Sequence, residues 1–141
     1  MALGVPTKKI RLGIIGLRAF DSYTLLDKTI KELPFYNDIT EIVSGGAAGA
    51  DRLGALFARD NQLKLTEFLP RWDKYGKKAG FMRNETIVQN SDVIVAFWDG
   101  VSKGTLNTIN LTKKVHKHLY VVKYHEIAIL EYFQQKKVLG Y

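Results

Sequence analysis

No cysteine occurs anywhere in the chain, so disulfide bridges and thiolate chemistry have no place in its stability or function. Proline is scarce, with three in all, and no apolar run approaches the roughly 18 residues of a membrane span. No membrane association is expected. Histidine is confined to His116, His118 and His125. Two residues apart on a helix, the first pair would not share a face, and the carboxylate and thiol partners of a metal site are missing. No metal is expected. Residues 1–7 are too short for a secretion signal; residues 1–8 read as a flexible leader, residues 9–141 as one domain, and a cytoplasmic location is expected.

Acidic residues are the minority among charges: 14 Asp and Glu stand against 21 Lys and Arg, a net charge of +7. That excess favours anionic partners such as nucleotides or nucleic acid, although it also serves solubility alone. The 46% hydrophobic content of 141 residues supplies one full core.

Apolar runs over 9–16, 39–44, 63–69, 93–98 and 119–122 read as five strands, the fourth being the most hydrophobic. Helices alternate with them. Asp21 is placed to cap a helix over 22–33, stopped by Pro34. Further helices are expected from the first glycine turn to about 61, over 81–89, over 105–115, and over 127–136, the last carrying Ile127, Leu130 and Phe133. Residues 71–80 read as irregular. Strand–helix alternation predicts an α/β fold: a single three-layer Rossmann-like domain with a mainly parallel five-stranded sheet.

Two glycine-rich turns, each between a strand and a helix, carry the chemistry. The first is Ser44-Gly45-Gly46-Ala47-Ala48-Gly49-Ala50-Asp51; the second is Asp99-Gly100-Val101-Ser102-Lys103-Gly104-Thr105. Glycine lets backbone approach a ligand closely, and the following helix aims free N–H groups and its positive dipole end at it. In a parallel sheet both turns fall on the carboxyl edge, where ligands bind, together with Gly16-Leu17-Arg18 and residues 71–80. One shared anion-binding crevice follows. The first strand lacks the G-x-G-x-x-G of a dinucleotide site, and Lys103 precedes Gly104, so the G-K-[ST] order of a P-loop is absent as well.

Gly45, Gly46, Ala47 and Gly49 are expected to wrap a phosphate, or else to form a tight structural turn. Asp51 would bind a ribose hydroxyl or cap helical N–H groups. Ser102, Lys103, Gly104 and Thr105 offer hydroxyls, N–H groups and a cation at a helix start, with Asp99 placed to orient a ribose or a water. Arg18 and Arg83 are the guanidinium groups expected on phosphate or ribose, Asn84 contacts ligand or loop, and Trp72 with Tyr75 forms a stacking lid or a hydrophobic anchor.

In full, the motifs read SGGAAGAD over 44–51, PRWDKYGKKAGFMRN over 70–84 and AFWDGVSKGT over 96–105, preceded by Gly16-Leu17-Arg18. In that order they resemble the SLOG superfamily of Rossmann-like domains, in the small bacterial and phage branch typified by YspA and YpsA. Leucine in the middle of the first motif departs from that branch, which has serine or alanine there. The resemblance implies a nucleotide or nucleotide derivative as ligand, ADP-ribose-like or mononucleotide, sensed or processed without a further cofactor; relatives commonly form dimers or larger homo-oligomers. The first turn is also similar to that of the single-strand-binding mediator DprA, which keeps single-stranded DNA as an alternative partner. Against the related cytokinin-activating phosphoribohydrolases, Gly104-Thr105 and Arg83 match the phosphate-binding residues, but Thr108 stands where the catalytic glutamate belongs. Any catalytic role would fall to Arg83, Asp99 or Asp51, and efficient glycosidic hydrolysis is not expected.

Overall fold

The computed structural model describes residues 8–124; most of the expected leader and the helix expected over 127–136 lie outside them. Five strands, β1 (Ile10–Gly16), β2 (Ile39–Ser44), β3 (Lys64–Glu67), β4 (Val93–Trp98) and β5 (His118–Lys123), form one sheet in the order β3-β2-β1-β4-β5. Every pairing is parallel. Helices α1 (Tyr23–Lys31), α2 (Ala50–Asp60), α3 (Trp72–Tyr75), α4 (Ala79–Gln89) and α5 (Lys103–Lys114) make the crossovers.

The period of two along the strands sorts the core into two halves. Leu12 and Ile14 of β1 and Val93, Val95 and Phe97 of β4 face α1 and α2, meeting Leu26, Ile30 and Phe57. Ile15, Ile94 and Ala96 face the opposite way, against Ile87 and Val88 of α4 and Ile109 of α5. Each fully buried aliphatic or aromatic side chain contributes about 1.5–3 kcal/mol. The result is three layers, with β1 and β4 central and buried on both faces. At the edge away from the glycine turns, Asp92 binds Arg11 through a two-pronged ion pair of 2.9 and 3.1 Å. Lys117 caps the C-terminal end of α4 by donating to the carbonyls of Val88, Gln89 and Ser91.

Local differences from expectation have physical causes. Ser22 rather than Asp21 caps α1, its Oγ accepting the Leu25 N–H at 3.2 Å. Asp21 instead accepts the Tyr124 hydroxyl, 103 residues away in sequence. Residues 71–80 are not irregular: α3, a 3-10 turn over Gly76–Lys78 and the start of α4 occupy them. α5 begins at Lys103, two residues early. No helix among the described residues is long and apolar enough to cross a membrane.

Candidate nucleotide-binding crevice

The strand order reverses between β1 and β4: the crossover from β1 leads to β2 on one side, while β4 and β5 lie on the other. The loops beyond those two strands diverge and leave a crevice at the carboxyl edge. A cavity of about 810 Å³ opens there, within the size range of small-molecule sites. Of the residues singled out from the sequence, Gly16, Arg18, Ala47, Asp51, Arg83, Asn84, Asp99, Ser102, Gly104 and Thr105 line it. Six others, Gly45, Gly46, Gly49, Trp72, Tyr75 and Lys103, are not among its lining.

The first glycine turn is held by close backbone approach. Gly49 has φ +76°, and a Cβ on it would lie 2.1 Å from the Leu17 carbonyl oxygen, while the next residue, Ala50, donates its N–H to that same oxygen at 3.1 Å. Glycine here docks the turn onto the β1–α1 loop. Gly46, at φ +72°, sits under Leu69, whose Cδ2 would be 2.2 Å from an added Cβ.

Asp51 fills this turn from the first helical turn of α2. Its Oδ2 accepts the Ala47 N–H at 3.1 Å. Burial pushes the carboxyl up to about 6, with Glu67 pushing the same way; the Ala47 N–H, the Arg83 charge and the Gly45 N–H pull it back. Arg83 reaches across from α4, donating Nη1 to the Gly45 carbonyl at 2.8 Å and Nε to Asn84 Oδ1 at 3.0 Å. Burial lowers its pKa, Asp51 opposes this, and Arg18 adds to the lowering. Two guanidinium groups thus share one cavity, and among the described residues neither has a carboxylate within ion-pair distance.

The second turn is organised by Asp99, whose Oδ1 accepts the N–H groups of Val101 at 2.8 Å and Ser102 at 2.7 Å. Trp98 Nε1 donates to the Ser102 carbonyl at 3.0 Å, clamping the loop. Ser102 caps α5 without a side-chain hydrogen bond, so the helix opens on the cavity with first-turn N–H groups beyond the reach of intrahelical carbonyls. Among the described residues nothing lies within 4 Å of a Cβ built on Gly104.

Trp72 is half exposed and rests against Gly80 at the start of α4, 3.3 Å from the Cβ position there. It fastens α3 to α4 outside the cavity. Sequence reasoning passed over Ile15, Ala19, Ile87 and Tyr124, all of which line the cavity. For Ile15 and Tyr124 a signal was present: each lies at the carboxyl end of a strand, the edge to which the motifs pointed. Tyr124 also closes an aromatic stack, edge-on to Phe20 at 4.7 Å, with Phe20 against Phe97 at 4.4 Å. Thr108 lines the cavity, buried, with Oγ1 directed to the Gly104 carbonyl at 3.4 Å.

The chain is similar to the gene 61 protein of Mycobacterium phage D29, 35% identical over 111 residues that cover 74% of this chain and 89% of the phage protein. No solved structure matches significantly. Residues 11–75, from β1 through the first glycine turn to α3, match the model of the YspA, cpYpsA-related SLOG family, and the chain belongs to that family.

Proposed function

We propose that the crevice binds a nucleotide or nucleotide derivative, a mononucleotide or an ADP-ribose-like molecule, and that the protein acts as a sensor of that ligand rather than an efficient processing enzyme. The observation that carries the reading is the convergence of Arg18, Arg83 and the open start of α5 on one cavity at the strand-order reversal. Like charges are brought together there, and among the described residues no carboxylate lies within ion-pair distance of either, an arrangement that an anionic ligand relieves. Family membership agrees with a nucleotide-related ligand. Asp51 and Asp99 supply acceptors for ribose hydroxyls.

Thermal unfolding with a panel of mononucleotides and ribosylated derivatives tests the reading. A ligand present at about 100 times its Kd adds roughly 2.7 kcal/mol of stability, which the midpoint registers. No shift with any member at millimolar concentration would remove the proposal. Mass spectrometry of the purified protein for co-purified nucleotide would name the base.

A second reading has its own observation. Trp72, Tyr75, Phe81 and Met82 are exposed on α3 and α4 beside Arg71, Lys74, Lys77 and Lys78, with the Lys74 ammonium 5.2 Å from the Tyr75 ring centre. Aromatics interleaved with cations form a stacking platform for single-stranded nucleic acid. Asp73 interrupts this stripe, pairing with Arg71, and the platform lies outside the cavity; the nucleotide reading is the better supported.

A further inference from the structure

We infer that Asp51 sets ligand specificity: its carboxylate serves as the built-in anion of the first glycine turn, so the crevice seats one phosphate group, between Arg18 and Arg83, and prefers nucleoside monophosphates to nucleotides bearing a diphosphate. This deepens the nucleotide reading above and rests on it.

Two glycine turns on one sheet edge invite the expectation of two phosphate cradles. The geometry of the first does not allow a second anion at low cost. Asp51 Oδ2 already accepts the Ala47 N–H and stands 2.9 Å from where a Cβ of Gly45 would be. Glu67 Oε2 stands 3.3 Å from the corresponding point on Gly46, and Leu69 covers that glycine. A phosphate entering this turn would have to displace one buried carboxylate and then face a second. In a partly dehydrated site, repulsion between like charges is several times stronger than in water.

Arg83 shows the same division of labour. Its Nη1 is committed to the Gly45 carbonyl at 2.8 Å, beside Asp51, while Asn84 holds its Nε. The guanidinium is therefore fixed in orientation, with its charge shared between Asp51 on one side and the cavity on the other. Arg18, exposed on the β1–α1 loop, lines the same cavity and is near enough for its charge to act on Arg83. Arg18 and Arg83 are matched in the cavity lining by Asp51 and Asp99, so no surplus of cation charge awaits a second phosphate. Cavity volume does not discriminate, since 810 Å³ accommodates either ligand class; the choice is electrostatic.

Calorimetric titration of the full chain at pH 7.5 with the four ribonucleoside 5′-monophosphates and their 5′-diphosphates tests this. The best-bound monophosphate is expected to bind at least tenfold more tightly than its own diphosphate. Asp51→Asn retains an oxygen for the Ala47 N–H and removes the charge; it is expected to narrow that ratio below threefold by strengthening the diphosphate. Glu67→Gln, at a more exposed position on β3, narrows it in the same direction and carries the test should the Asp51 variant fail to fold. A diphosphate that binds the wild type as tightly as its monophosphate overturns the inference while the nucleotide reading stands. So does a ratio unmoved by the substitutions. Absence of binding by every nucleotide at millimolar concentration overturns both.

Discussion

Arg83 donates a 2.8 Å hydrogen bond to the carbonyl of Gly45, and the guanidinium occupies the space that any Cβ on Gly45 would need, 2.4 Å from Nη1. The absence of one side chain on the first turn is thus what allows a cation from α4 to reach the strand edge. Asp51 enters the same gap from α2. Three elements meet at a single glycine, and the charge of the crevice is set there.

The buried Asp51 makes a pH prediction with a definite sign. Its pKa is about 6 in the fold and 3.8 as the ordinary value, so between those pH values the folded protein holds a proton that the unfolded chain has released. Unfolding free energy from this group is therefore highest below pH 3.8, falls as pH rises, and is flat above about 7. The full loss is about 3 kcal/mol at about 1.4 kcal/mol per pKa unit. Asp51→Asn, permanently neutral, escapes it. Urea unfolding at pH 4.5, 5.5, 6.5 and 7.5 should show the variant gaining on the wild type as pH rises, with the gap constant above 7. A gap independent of pH would mean that Asp51 ionises in the fold as it does in water. Arg83 and Glu67, the charged groups named around it, are left in place in both proteins.

Glycines that look alike in the sequence should respond differently. A Cβ on Gly104 meets nothing within 4 Å among the described residues, and the residue is helical, so Gly104→Val folds; the added methyls enter the cavity and the ligand-induced rise in thermal midpoint disappears. Gly49→Ala places a Cβ 2.1 Å from the Leu17 oxygen at φ +76°. Strain of that kind costs about 1–3 kcal/mol, and the backbone clash adds to it, so the unfolding midpoint drops without ligand. Should Gly104→Val bind ligand normally, α5 does not open on the binding site.

Much of this was legible in the residues because the physics is local. Strands β1 and β4 are apolar runs buried on both faces, and the glycines at 45, 49 and 100 mark real strand-to-helix turns. Arg83 was legible as a cation of the site, but not its grip on Gly45, which spans 38 residues of sequence. The short helix at 72–75 was obscured because its residues are all exposed and show no apolar period. Asp21 read as a helix cap since it precedes Ser22 and is good at that task; only the distant Tyr124 gives it another. Whether a turn's N–H groups are free or already occupied by a nearby aspartate is likewise invisible in a motif.

Salt separates small-ligand binding from strand binding. A protein that neutralises several phosphates of a single strand loses affinity with a log–log slope of about −0.7 per phosphate. With Asp73 breaking the basic stripe on α3, weak binding of single-stranded DNA with a shallow slope is expected. Sub-micromolar affinity at physiological salt, abolished by changing Lys74, Lys77 and Lys78 together to glutamate, would make strand binding the better account. Titrations of a labelled oligonucleotide between 50 and 300 mM salt decide it.

The crevice should bind without efficient turnover. Thr108, the position at which the sequence resemblance would place a phosphoribohydrolase glutamate, has a hydroxyl that is buried and directed to the Gly104 carbonyl and neither takes up nor gives a proton near neutral pH. Asp99 has Oδ1 bound by two loop N–H groups, and loses that loop if it swings toward a ligand. Asp51 has a pKa of about 6, nearer the range of a general acid, but its Oδ2 is held in the first turn by Ala47. General acid–base catalysis is worth roughly 10² to 10⁴ in rate, so base release from AMP, ADP-ribose or NAD should stay near background when followed by chromatography. Several turnovers per minute would contradict this, and the pH profile would then name the group. Activity that falls above pH 6 and vanishes in Asp51→Asn assigns the proton to Asp51, whereas loss confined to Asp99→Asn assigns it to the second turn.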